Sequence, residues 1–198
     1  MTPTHLPGRV AIPSLPEQPR SAPLDRFNTA PVDDLRPALL TCLRSHRWAT
    51  RIAAHRPYPD VDALLAASDE ASYDLTPGDL AEALAGETLP ALPDSAYSAA
   101  HMAMDAAHAA YEAKFGHAFA ICLDGLTTEE GLDHVLAGIR SRLTNDPEEE
   151  RVVAAEELRR LARERLVSHL RGAGNCATSP SGAALGTQQN KPPHTPQR

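Results

Sequence analysis

Apolar residues in this chain recur mainly at helical spacing. Between Val32 and Arg44, Leu35, Leu39, Leu40 and Leu43 fall three and four positions apart, which puts them on one side of a helix. Ser45 is placed to cap a second helix carrying Trp48, Ile52 and Ala53. Arg56-Pro57 ends it, because the residue before a proline is pushed out of helical geometry. Asp60 opens a third helix with Val61, Leu64 and Leu65 on one face, and Thr76-Pro77, a cap followed by proline in the first turn, introduces Leu80 and Leu84. Alanine dominates Ser95 to Lys114, which favours helix with little competition from side chains. Thr127 or Thr128, followed by Glu129 and Glu130, starts the next helix, whose inner face is Leu132, Val135, Leu136 and Ile139. Asp146-Pro147 and three glutamates start the last, where Leu158, Ala162, Leu166 and Leu170 repeat every fourth residue, Leu161 widens the stripe and Gly172 is a natural stop.

Only Phe119 to Leu123 reads as strand, and one short strand without a partner does not make a sheet. The expected fold class is therefore all-α, a single compact multi-helix domain over residues 24–171, with no internal repeat. Residues 1–23 are rich in proline and lack apolar periodicity. Residues 172–198 are small, polar and proline-bearing. Neither tail can bury enough apolar surface to offset the entropy of ordering, so both are expected to be disordered.

Charge narrows the function classes. A net charge of −7 is unsuited to a nucleic-acid surface, which needs a basic stripe against phosphates. The arginines from Arg159 to Arg171 are interleaved with Glu156, Glu157 and Glu164 and read as paired charges on a solvated face. No apolar run of about 18 residues predicts a membrane span, and the opening MTPTHLPGRV lacks the plan of a secretion signal. Cys42, Cys122 and Cys176 show neither disulfide nor zinc spacing, which points to a reducing cytoplasm. Cys42, Cys122 and Trp48 fit as core residues. His101, Asp105 and His108 share helical spacing; a polar outer face is the reading preferred over a metal site, since three ligands on one helix rarely close a coordination sphere.

Six words stand out in order: FN at Phe27–Asn28, CLRSHRW at Cys42–Trp48, RPYPDVDALLAASD at Arg56–Asp69, YEAKFGHAFAIC at Tyr111–Cys122, RLTNDPEEE at Arg142–Glu150 and EELRRLARERLVSHL at Glu156–Leu170. In order and spacing they resemble the 2-oxo-4-hydroxy-4-carboxy-5-ureidoimidazoline (OHCU) decarboxylase family of purine breakdown, from Phe27 to Leu170. The resemblance implies an all-α fold, usually dimeric, that works without a cofactor or metal. It implies a small-molecule ureide substrate, which loses one carboxylate to give (S)-allantoin. Such chemistry needs donors aimed at a developing oxyanion and one group delivering a proton to a single face.

The family's histidine, in a His-Pro-Arg-Ile-Gly word, is replaced here by Glu87 in DLAEALAGETLPALP. Following Gly86 at a helix end, Glu87 reads on its own as an exposed loop carboxylate; the resemblance makes it the candidate for proton transfer, with His101 as the alternative donor. Arg142 reads on its own as a solvated cation, whereas the resemblance implies that it grips a substrate carboxylate or ureido group. Phe115, Gly116, Phe119 and Ile121 are packing residues that the resemblance also places at the substrate, where non-helical backbone offers free amide and carbonyl groups. His117, within the same word, reads as a spacer. The alternative function is a catalytically silent member that binds a ureide or a protein partner.

Overall fold

The computed structural model describes residues 22–88 and 98–175. Among these residues the chain forms helices and no strand: α1 (Ala22–Thr29), α2 (Val32–Cys42), α3 (His46–Ala54), α4 (Val61–Tyr73), α5 (Pro77–Ala85), α6 (Ser98–Phe115), α7 (Thr128–Arg142) and α8 (Pro147–Asn175). The all-α expectation holds.

Several helix starts follow directly from the sequence. Ser45 accepts from the Trp48 N–H, and Asp60 accepts from the Ala63 N–H. Thr76 with Asp79, and Thr127 with Glu130, form reciprocal capping boxes. Asp146 accepts from the N–H groups of Glu148 and Glu149, while Glu149 accepts from the Asp146 N–H. Each such cap satisfies amides that have no intrahelical partner, typically contributing about 1 kcal/mol.

Three elements depart from expectation. Helix α1 has no counterpart in the apolar pattern; its two turns bury Leu24 and Phe27. Asn28 exchanges a pair of 2.9 Å hydrogen bonds with the backbone of Tyr58, and Arg56 donates to the Phe27 and Ala30 carbonyls. Helix α8 does not stop at Gly172 but continues to Asn175. Phe119 to Leu123, the strand-like stretch, lies in an irregular connection between α6 and α7.

Helix α8 is the axis of the domain. Its ladder of Ala154, Leu158, Ala162, Leu166 and Leu170 is buried against α1, α2, α4 and α5 in the larger core, which also holds Trp48, Leu39, Ile52 and Leu64. A smaller core, Met104, Tyr111, Phe119, Ile121, Val135 and Ile139, joins α6 to α7. At about 1.5–3 kcal/mol for each fully buried large apolar side chain, the two cores dominate the stabilisation. No helix among the described residues is long and apolar enough to cross a membrane.

Candidate functional site

The connection after α6 is the seam between the cores. Helix α6 closes on Gly116, whose φ of +76° lies in the left-handed region and whose N–H bonds the Glu112 carbonyl at 2.8 Å. Beyond it the side chains alternate. Phe119 and Ile121 enter the smaller core, Ala120 enters the larger, and Cys122 packs against the larger. The seam's backbone groups do not stand free: Arg142 donates to the Ala120 carbonyl at 2.7 Å, and the Cys122 N–H donates to Glu157 at 2.8 Å.

Of the residues expected at the substrate, Phe115 and Gly116 line a cleft of about 310 Å³ between α5 and the start of α8. Leu80 and Leu84 form its apolar wall, and His117 and Arg151 contribute polar groups. The His117 ring stacks on Phe115 (centroids 6.2 Å apart) and meets Tyr111 edge-on at 5.6 Å, while its Nδ1 contacts the Ala118 carbonyl at 3.0 Å. Phe119 and Ile121 do not line this cleft; they are buried packing residues.

Glu87 is not the exposed carboxylate that its position after a helix end suggests. It is 8% exposed, and both oxygens accept from Arg165 at 2.8 Å. Arg165 also donates to the Cys42 carbonyl at 3.2 Å. Parallel two-point pairing fixes the planes of both groups as well as their separation. Leu84 and Ala85, three and two residues before Glu87, line the cleft, whereas Glu87 and Arg165 do not.

Arg142 is not a solvated cation; it is 7% exposed. It donates from Nε to Glu150 at 2.8 Å, from Nη1 to Ala120 and from Nη2 to the Tyr111 hydroxyl at 3.2 Å and to Glu150. The Tyr111 hydroxyl itself donates to Glu150, which has no exposed surface and also accepts from Asn145 at 2.9 Å. Burial, and then the bond to Glu150, hold the Tyr111 hydroxyl protonated far above the usual phenol range. Arg142 further lies 4.4 Å from the Phe119 ring centre. Four of its five N–H groups thus donate within the protein, tying α7 to the seam at Ala120 and to α8 at Glu150.

His101, Asp105 and His108 do not form one polar face. Asp105 is exposed, His108 is 6% exposed, and the side chain of His101 lies outside the described residues. His108 packs edge-on against Phe119, its Nε2 has no partner, and burial lowers its pKa. Among the described residues no three His, Cys, Asp or Glu side chains converge as metal ligands. Cys42 is buried, with its thiol pushed up to about 11 by burial. Cys122 is half-buried beside Glu157 and Glu164, and its thiol is also raised.

The OHCU decarboxylase family model matches residues 28–96 and 90–167. The chain belongs to the OHCU decarboxylase family. No curated protein matches it by sequence. Among solved structures it is similar to an (S)-allantoin synthase, with a TM-score of 0.57 and 22% identity over 74% of this chain and 53% of that one. It is also similar to an OHCU decarboxylase crystallised in the presence of (S)-allantoin, with a TM-score of 0.58 and 20% identity over 67% of this chain and 96% of that one. The chain thus spans about half of the first relative and nearly all of the second; at these identities the likeness is one of fold.

Within this family fold, the structure adds partners that the sequence reading missed. Arg165 falls within the run expected to form a solvated charge face, yet it lies four residues after Leu161 and next to Leu166, at the edge of the buried stripe. Glu150 stands four residues before Ala154, at the head of the ladder. Arg142 extends the buried Val135–Ile139 line by three. A charge on an inward position needs a partner, and that was the available signal.

Proposed function

We propose that the protein decarboxylates 2-oxo-4-hydroxy-4-carboxy-5-ureidoimidazoline to (S)-allantoin in urate breakdown, without a cofactor. Membership of the family supports the reaction class. The observation that carries the site is the buried Glu87 carboxylate in two-point contact with Arg165, at the position where the resemblance places the family's proton-transfer residue. The reaction breaks the bond between the ring carbon and its carboxylate. Carbon dioxide leaves, and the electron pair passes into the ring. A guanidinium beside that charge stabilises it better than water does, because it is already oriented.

Arg165, whose side chain is 32% exposed, is the cation that an incoming anion can approach. Glu87 orients it through both carboxylate oxygens. The cleft walled by Leu80, Leu84 and Phe115 receives the flat ring, with Gly116 permitting close approach of backbone. Arg142 serves by holding the seam. A homodimer in the reducing cytoplasm completes the reading, in line with the resemblance.

The test is addition of purified protein to freshly oxidised urate, followed by circular dichroism. Formation of optically pure allantoin well above the spontaneous rate is expected; Glu87→Gln and Arg165→Met should each lose most of it. A rate and racemic outcome equal to the spontaneous reaction would reject decarboxylation.

A second reading, a silent member that binds a ureide or a protein partner, is favoured by one observation: Glu87 and Arg165 satisfy each other, so the position of the family's acid is already neutralised. It requires no turnover together with a rise in melting temperature on adding (S)-allantoin.

A further inference from the structure

We infer that His117 is a further catalytic residue, the group that moves a proton within the substrate held in the cleft between α5 and the Phe115–His117 turn. The inference rests on the decarboxylase reading and names a residue that neither the family match nor the Glu87–Arg165 pair supplies. Glu87 spends both oxygens on Arg165. Arg142 is committed to Glu150, Tyr111 and Ala120. Neither is free to carry a proton back and forth.

His117 is placed to do so. It lines the cleft with Phe115 and Gly116. Its neighbour at Nδ1 is a carbonyl, that of Ala118 at 3.0 Å. A carbonyl only accepts, so Nδ1 carries the hydrogen and Nε2 of the neutral ring keeps a free lone pair. The ring plane is fixed between Phe115 and Tyr111. Arg151, on α8, is the charged side chain lining the same cleft, and the α5 wall facing His117 is apolar.

The step balances with these parts. The substrate carries a hydroxyl and a carboxylate on one ring carbon and the ureido group on the next. The carbon–carboxylate bond breaks and carbon dioxide leaves. The electron pair forms a double bond between the two ring carbons, and the displaced ring nitrogen takes one proton from solvent. The product is an enol. Nε2 of His117 then takes the hydroxyl proton as the carbonyl forms and returns that proton to the ureido-bearing carbon. Delivery from one fixed ring sets one handedness. Arg151, paired with Glu148 but 43% exposed at its side chain, lines the cleft and attracts the anionic substrate into it.

The decisive comparison is turnover of wild type, His117→Asn and His117→Gln on freshly oxidised urate, with optical activity of the product recorded. Asparagine retains a donor for the Ala118 carbonyl, and glutamine retains polar bulk near Nε2, but neither carries a proton. Both should lose about 100- to 10,000-fold in kcat with KM changed by less than about threefold, and residual allantoin should be racemic. A kcat within about threefold of wild type and unchanged handedness in either variant overturns the inference while leaving decarboxylation standing. Absence of turnover in wild type overturns decarboxylation itself, and the His117 step with it. Should both variants fail to fold, nitrogen NMR of wild type decides: the Nε2 resonance should move on adding (S)-allantoin, and an unmoved resonance rejects the assignment.

Discussion

Replacing Arg142 with Met tests whether this arginine is a clamp or a substrate hand. The side chain meets Glu150, Tyr111 and the Ala120 carbonyl, and Glu150 has no exposed surface. Methionine fills much of the volume but leaves Glu150 buried with only the Tyr111 hydroxyl and Asn145 as partners. Removing one member of a buried pair typically costs about 3–5 kcal/mol, mostly because the other is stranded. At ~2–4 °C per kcal/mol for a chain of this size, the melting temperature should fall by on the order of 10 °C. Scanning calorimetry and urea unfolding report it directly. Arg160→Met is the control: its pairs with Glu156 and Glu157 are on the surface, and its loss should cost under about 1 kcal/mol. Combining Arg142→Met with Glu150→Leu should recover part of the loss by removing the stranded carboxylate. A melting temperature for Arg142→Met within about 2 °C of wild type refutes the clamp; a raised KM alongside that result makes Arg142 a substrate contact.

Other outcomes follow from single features. Gly116→Ala meets no atom within 4 Å, so its cost, about 1 kcal/mol by urea titration, should come wholly from the left-handed backbone; a loss several times larger would show an unrecognised contact. His108 has its pKa lowered below the ordinary 6.5, first by burial, with Glu112 and Asp105 opposing. The neutral ring is favoured in the folded state, so its contribution is fully present above about 6.5 and is lost as pH falls below that value. Unfolding free energy should therefore decline with acidity in wild type more steeply than in His108→Gln, and parallel curves would refute the assignment. Arg165→Met strands the Glu87 carboxylate and should lower the melting temperature more than Glu87→Gln, which retains acceptor and shape; the reverse order would contradict the pairing.

Much of the fold was legible because its signals are local. Ser45, Asp60, Thr76, Thr127 and Asp146 bond amides within three residues of themselves, and the α8 stripe needs only a count of fours. Helix α1 was not, since its two turns follow a proline-rich run and are held by partners near Tyr58, about thirty positions away. The run past Gly172 shows the same limit from the other side. A glycine without demanding geometry permits a stop without requiring one.

The site was less legible because its pairings are distant: Glu87 meets Arg165 across 78 positions and Tyr111 meets Glu150 across 39. Periodicity gives the face of a charge but not its partner. It would have placed Arg142, Glu150 and Arg165 on inward positions and stopped there.

Exposure then separates the two buried pairs by what each can do. Arg142 and Glu150 are 8% and 0% exposed at their side chains, and four of the arginine's five N–H groups donate within the protein. An anion reaching Arg142 must displace Glu150 into a place with no water, at a cost of several kcal/mol. That cost is subtracted from whatever the ureide gains through its other contacts. Arg165 differs: its side chain is about a third exposed while Glu87 stays covered behind it. An anion can add to its open edge without breaking the existing contact, so the ligand need not offset a stranded charge. The arginine that stands out by sequence is thus the more enclosed of the two, and Arg165, within a charge-rich helix, is the more exposed.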